Sequence, residues 1–282
     1  MKIFAALLLL LLVFGDDAWG TIILLNFTRE RAIVAADSRG RLDSDIDDNA
    51  CKLVQVDPQT FFFAYGGTSI TDTATKREIW SLHSVAQEVF KQRSDPSWDA
   101  FIRLIAKWTD LVRARYQSLL DKQRMRLERN RQLISVGTFG RSFETSVRLY
   151  QVSFNYPLPP EVAQPIVKPS SLEIFPSDQS TIVTAGNPLA IPFANEFIDN
   201  KTQRAIAANQ IFDQQFKNRT DSHYEAQRLR SAIMFAIQWI PDKIIGGKVD
   251  SLILEKNQTI EWISKKDCSN RTLSERRRDS RE

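Results

Sequence analysis

Apolar positions after residue 20 come in short runs separated by polar breaks. The stretch 21–27 (TIILLNF) is apolar and partly β-branched, 28–31 (TRER) is polar, and 32–37 (AIVAAD) is apolar again. That pattern predicts two strands joined as a hairpin. An Asp-rich polar loop fills 38–49. Residues 51–56 and 60–65 predict two further strands around the turn Asp57-Pro58-Gln59. Past Gly66-Gly67 the period lengthens. Ile79, Leu82, Val85, Val89 and Phe90 fall on one helical face, which predicts a helix from about 69 to 92. From Trp98 the residues Phe101, Leu104, Ile105, Trp108, Leu111 and Val112 predict a second helix, running into a basic end at 122–131. Strands are expected at 132–139 and 145–154, and a Pro-rich surface loop at 156–180. A strand at 181–185, helices at 192–216 and 223–240, and a hairpin of 249–254 with 259–263 complete the chain. Strands, two helices, strands, two helices, strands is an order that suits two antiparallel sheets packed face to face with helices outside. The expected fold is therefore α+β in a single domain.

The ends follow different rules. Lys2 precedes twelve residues, 3–14, without a polar side chain. A membrane span needs ~20. The run fits the core of a signal peptide, and Ala18-Trp19-Gly20 supplies the small-x-small cleavage site. The organisation expected is a signal peptide at 1–20, a folded domain at 21–265, and a basic, solvated tail at 266–282 carrying Arg276, Arg277, Arg278 and Arg281. Export to a secreted or periplasmic space follows, with no membrane span once the leader is removed.

Composition narrows the picture little. At 43% apolar and 26% charged residues the body is an ordinary globular sequence. The net charge of +4 owes much to the tail, and no nucleic-acid-binding motif accompanies it, so no nucleic-acid partner is expected. Cys51 and Cys268 allow one intramolecular bridge in an oxidising compartment, which spacing alone cannot establish. Two Cys and the distant His83 and His223 form no metal-ligand set, so neither metal nor organic cofactor is expected. Asn26, Asn200, Asn218, Asn257 and Asn270 each begin an Asn-X-Thr triplet, the acceptor pattern for N-glycosylation in exported chains.

Most hydrolase chemistries are excluded by motifs the chain lacks. No G-x-S-x-G turn and no H-E-x-x-H helix is present. A Ser-His-Asp triad would need His83 or His223, both in stretches that read as ordinary amphipathic helices. A hydroxyl can instead be activated by a free α-amine on the same residue. Cleavage after Gly20 would give Thr21 that amine, whose ordinary pKa of ~7.7–8.0 falls near a cation because like charge disfavours the ammonium form. Asp37 ends the second strand, Lys52 opens the third, and Gly66 ends the fourth, where a bare N–H could face a substrate carbonyl. Taken singly, each reads as a strand-end carboxylate, a surface cation or a turn glycine.

The region 21–67 resembles the start of a proteasome β-subunit, in the N-terminal nucleophile (Ntn) hydrolase superfamily. "AIVAADSRG" is similar to the family's "VVLAADSRA", "CKLVQVDP" to its lysine strand, and "FFFAYGGTS" to the strand ending in its double glycine. The loop between Asp37 and Lys52 is one residue shorter than in the family. The resemblance implies a four-layer αββα sandwich. It implies Thr21 as nucleophile, Asp37 and Lys52 as catalytic partners and the Gly66 N–H as oxyanion donor. It is looser beyond. "IVTAGN" puts Ala185 where the family has Ser. "PDKIIGGKVDSLIL" puts Asp242 on a supporting aspartate and Ile245 on an accompanying serine. Those two changes remove hydroxyls that orient the amine and a relay water.

The function so implied is a secreted threonine-type peptidase or amidase acting on a peptide or amide substrate. Two alternatives stand beside it: a binding or scaffold protein of the same fold, and an Ntn amidase for small amides. Assembly into a homo-oligomer, as ring-forming relatives do, is left open by the sequence.

Overall fold

A computed structural model describes residues 21–42, 45–47, 51–66, 69–71, 78–91, 95–118, 133–155, 168–174, 178–216, 221–240 and 245–265. Residues 1–20, expected to be a signal peptide, and 266–282, expected to be a solvated tail, lie outside them, as do Gly67, Asp242 and Cys268. So do the sequons' Asn218 and Asn270.

Strands β1 (Ile22–Phe27) and β2 (Arg31–Asp37) form the expected hairpin, with Ile23 opposite Ala36 and Phe27 opposite Ala32. Every residue of β1 is buried. An unbroken apolar run such as IILLNF is what a strand covered on both faces requires, and alternation would have left one face wet. The Asp-rich loop holds a short ribbon, β3 (Gly40–Leu42) with β4 (Asp45–Asp47). Next come β5 (Leu53–Asp57) and β6 (Thr60–Gly66), as the sequence predicts, joined at Asp57-Pro58-Gln59.

The expected helix beginning near residue 69 is shorter than its periodicity suggests. Ser69–Thr71 is strand β7 and Glu78–Ser81 is strand β8, paired with each other. Helix α1 is Leu82–Phe90. Its start is fixed by Ser81 and Ser84, which exchange side-chain and backbone hydrogen bonds in a capping box. Ile79 therefore belongs to a strand. Helix α2 is Trp98–Gln117, capped by Ser97.

Strands β9 (Leu133–Ser142) and β10 (Val147–Asn155) follow. Within the region expected to be a Pro-rich loop, Lys168–Ile174 forms strand β11 on the edge of the sheet, paired with β10 from Leu149–Ile174 to Asn155–Lys168. Pro169 is tolerated there because an edge strand can do without one donor. Strand β12 is Thr181–Gly186. The single helix expected over 192–216 is two, α3 (Ile191–Asp199) and α4 (Gln203–Phe216), broken at Asn200 with φ 54° in the left-handed region. Helix α5 is Asp221–Trp239, and β13 (Val249–Glu255) pairs with β14 (Glu261–Ser264).

The two large sheets are antiparallel and five-stranded, ordered β12-β1-β2-β13-β14 and β11-β10-β9-β6-β5. Three apolar clusters account for the packing. One joins β5, β6, β9 and β10 to α1 and α2 through Phe62, Phe101, Trp108 and Phe139. A second joins β1, β2 and β13 to α3, α4 and α5 through Ile22, Ile33, Phe197 and Ile233. The third lies between the sheets, with Ile23, Val34, Phe61, Phe63, Leu149 and Leu252. Along β1, Ile22 and Leu24 face the helices while Ile23 and Leu25 face the other sheet, as a two-residue period demands. This α+β arrangement is compatible with the expected sandwich. No helix among the described residues is long and apolar enough to cross a membrane.

Candidate functional site around Thr21

The site is built at one end of the strands. Thr21 precedes β1, Asp37 ends β2, Lys52 precedes β5, Gly66 ends β6 and Val249 opens β13. Antiparallel hairpins bring these termini together. Val249 lies opposite Asp37, and Ile22 lies opposite Gly186 at the end of β12.

Asp37 is the anchor. Its Oδ1 accepts the Lys52 ammonium at 2.8 Å and the Ile22 N–H at 2.8 Å. Its Oδ2 accepts the Arg39 N–H at 3.3 Å and the Gly246 N–H at 3.1 Å. Side-chain exposure is 6% for Lys52 and 0% for Asp37. Unpaired, either charge would be prohibitive at such depth; paired and given three backbone donors, the carboxylate is held. The shared Oδ1 keeps the ammonium beside the peptide group that joins Thr21 to Ile22.

Thr21 is itself clamped. Its carbonyl accepts the Asn187 N–H at 2.6 Å. Gly186, at φ 114°, approaches so closely that a Cβ there would sit 2.1 Å from the Thr21 carbonyl oxygen. Only glycine permits both the backbone angle and the approach. Thr21 is 7% exposed.

Lys52 is fixed through its main chain as well. Its carbonyl accepts the Ala64 N–H at 3.3 Å from β6 and lies 3.0 Å from Nε2 of His83 on α1. A carbonyl only accepts, so Nε2 carries the proton. Burial, with a smaller push from the nearby Lys52 charge, brings His83 down to about 4 against the opposing backbone contact. His83 is thus a neutral core histidine, packed edge-on against Phe62 at 5.1 Å. His223 sits at the surface, 2.8 Å from Glu261.

Gly66 takes φ 96°, a conformation that excludes most side chains, and pairs with Ser135. Its neighbour Tyr65 shares the intersheet cluster with Ala185 of β12. Burial raises the Tyr65 hydroxyl to about 12, so it stays protonated. Ala185 is buried between the sheets, and Ile245 is fully buried in the cluster that includes α5. Where the resemblance expected hydroxyls, the chain has apolar packing.

Of the residues expected from sequence, the structure joins Asp37 and Lys52 directly, ties Asp37 to Thr21 through Ile22, and places Gly66 at a neighbouring strand end. Asp242 lies outside the described residues. Sequence reasoning missed Asn187 and Gly246. Asn187 is fully buried; its N–H holds Thr21, its carbonyl accepts from Ala190 and Ile191 at the start of α3, and its Oδ1 accepts the Leu189 N–H at 2.8 Å. The Gly-Asn dipeptide after a strand was the one signal that pointed there. Gly246 leaves room for Arg39, whose Cζ would lie 2.5 Å from a Cβ. Its place in "IIGGKV" marks a turn but not that neighbour. Cys51, next to Lys52, is disulfide-bonded.

A cavity of about 460 Å³ runs along β5, bordered by Gln55, Asp57, Gln87, Asp250, Trp262 and Lys265. Among the described residues no group of His, Cys, Asp or Glu could hold a metal ion. No protein-family model matches the chain, and no curated protein is significantly similar to it.

Proposed function

We propose that the chain is a secreted, threonine-nucleophile amide-bond hydrolase of the Ntn type, similar in its site to proteasome β-subunits. The observation that carries the reading is the buried Lys52–Asp37 pair whose shared oxygen also holds the peptide next to Thr21. A surface salt bridge would contribute little and imply less; a buried lysine beside the first residue of a strand has a chemical use. After cleavage at Gly20-Thr21, the Thr21 hydroxyl attacks the amide carbonyl and its proton passes to the Thr21 amine. Lys52 holds that amine neutral by like-charge repulsion. Asp37 balances and positions Lys52, with Asp242 in support. The Gly66 N–H stabilises the oxyanion, a contribution worth ~2.7–4 kcal/mol in comparable sites. The protonated amine then donates to the leaving amine, and water hydrolyses the ester. No cofactor takes part in this scheme.

The test is turnover of a panel of peptide and small-amide substrates by the mature protein and by Thr21→Ala. The substitution should abolish turnover while the fold survives. Full activity in the purified variant would sink the proposal.

A second reading rests on Ala185 and Ile245. With apolar side chains in place of two orienting hydroxyls, the same fold could serve as a binding or scaffold protein. A correctly matured Thr21 that turns over neither peptides nor small amides would favour it. Turnover confined to small amides would point to an Ntn amidase.

A further inference from the structure

The fold treats its Asn-X-Thr triplets unequally. Asn26 is buried on β1, where its Nδ2 donates to Glu225 at 3.3 Å and its Oδ1 accepts from Ser180 at 2.7 Å. A sugar on Asn26 would displace both partners and open the sheet. Asn200 caps α3, its Oδ1 accepts from Asn209 at 3.3 Å, and the Thr202 hydroxyl is taken by Glu196 and by the Ala205 N–H at 3.2 Å.

Asn257 is placed differently. It lies in the turn between β13 and β14, and Asn257, Gln258 and Thr259 are all exposed. Its φ of 57° is one that Asn tolerates better than most residues. Main-chain bonds pin the turn: Lys256 N–H to Glu30 at 2.7 Å, Asn257 N–H to Phe143 at 3.1 Å, Gln258 N–H to Glu255 at 3.1 Å and Ile260 N–H to Pro58 at 2.8 Å; the Ser142 hydroxyl adds a bond to the Glu255 carbonyl at 2.8 Å, and Lys256 pairs with Glu30. None of these bonds uses the Asn257 side chain, so a modified amide leaves the turn intact.

We propose that Asn257 carries an N-linked glycan and that Asn26 does not. The proposal rests on the export reading. The donor is a lipid-pyrophosphate-linked oligosaccharide. The Asn257 Nδ2 bonds to the anomeric carbon and the bond from that carbon to the pyrophosphate oxygen breaks. The pyrophosphate leaves with the electron pair, and one amide proton passes to the transferase's base. β13 runs from Val249, opposite Asp37, to Glu255 beside the turn. Seven residues at ~3.3 Å each put the sugar roughly 20 Å from the Asp37 anchor, at the far end of the sheet from Thr21. The glycan therefore solvates one end of the sandwich and leaves the other open to substrate.

The full chain is expressed in a glycosylating eukaryotic host, and protein purified from the medium is treated with peptide N-glycosidase in heavy-oxygen water. Trypsin then releases 257–265, which begins at Asn257, and 21–29, which contains Asn26. The expected result is heavy-labelled Asp at position 257, unmodified Asn26, and an Asn257→Gln protein lighter by one glycan with unchanged thermal stability. Unmodified Asn257 in secreted protein, or label at position 26, overturns the proposal with export intact. Retention of an unglycosylated chain inside the cell overturns the export reading and the glycan with it.

Discussion

At the scale of single residues, the proposed chemistry turns on groups that have no slack. Gly186 is one. Its φ of 114°, and the 2.1 Å that would separate a Cβ from the Thr21 carbonyl oxygen, leave no room for a methyl group. Gly186→Ala should lose the Asn187 N–H contact to Thr21 along with turnover. A positive-φ strain of order 1–3 kcal/mol adds to the clash, and a urea midpoint shift checks it. Lys52 is another. Removing one partner of a buried ion pair costs about 3–5 kcal/mol because the other charge stays behind. Lys52→Met should therefore both destabilise the fold by about that amount and abolish turnover, read from denaturant unfolding and from the substrate panel. A variant that kept full stability would show that the pair is not buried as described. These residues were legible in the sequence to different degrees. Asp37, Lys52 and Gly66 stood out only through the order and spacing on which the resemblance rests, since each alone reads as an ordinary strand-end residue. Asn187 did not, because its contribution to the site is a main-chain N–H, which any residue but proline carries.

Elements were legible where period and length agreed. The β1–β2 hairpin, α2, α5 and the β13–β14 hairpin follow their patterns closely. The helix expected from residue 69 failed because Ile79 lies in register with Leu82 and Val85 while belonging to a strand; the capping box at Ser81 and Ser84 was the stronger signal. The 192–216 helix split because Asn200 can turn left-handed where most residues cannot. β11 was hidden because prolines and charges, which argue against a central strand, are compatible with an edge. Element packing also creates a pH response. α1 carries His83 into the core against β5, where burial holds it down to about 4 against an ordinary value of about 6.5. Below 6.5 the unfolded chain gains a proton that the folded chain refuses. Stability should then fall as pH drops from about 6.5 to about 4, by about 3 kcal/mol from this group. Urea unfolding across that range checks the slope, and His83→Gln should flatten it. A slope unchanged in the variant would remove His83 as the cause.

For the whole molecule, the two-sheet α+β class follows from the order of strands and helices, since each apolar face must find another. Covered on both sides, the sheets leave their strand ends as the place where side chains and backbone donors can meet a ligand. The proposed mechanism depends at every step on Thr21 becoming a free N-terminal nucleophile at one such end. Intact-mass analysis and peptide mapping of the mature protein, before and after treatment with a threonine-reactive electrophile, address that dependence without any assumption about substrate. The expected result is a chain beginning at Thr21 that gains one adduct on its first residue, and no adduct in Thr21→Ala. A mature chain that begins elsewhere, or one that begins at Thr21 and stays unlabelled, would contradict it.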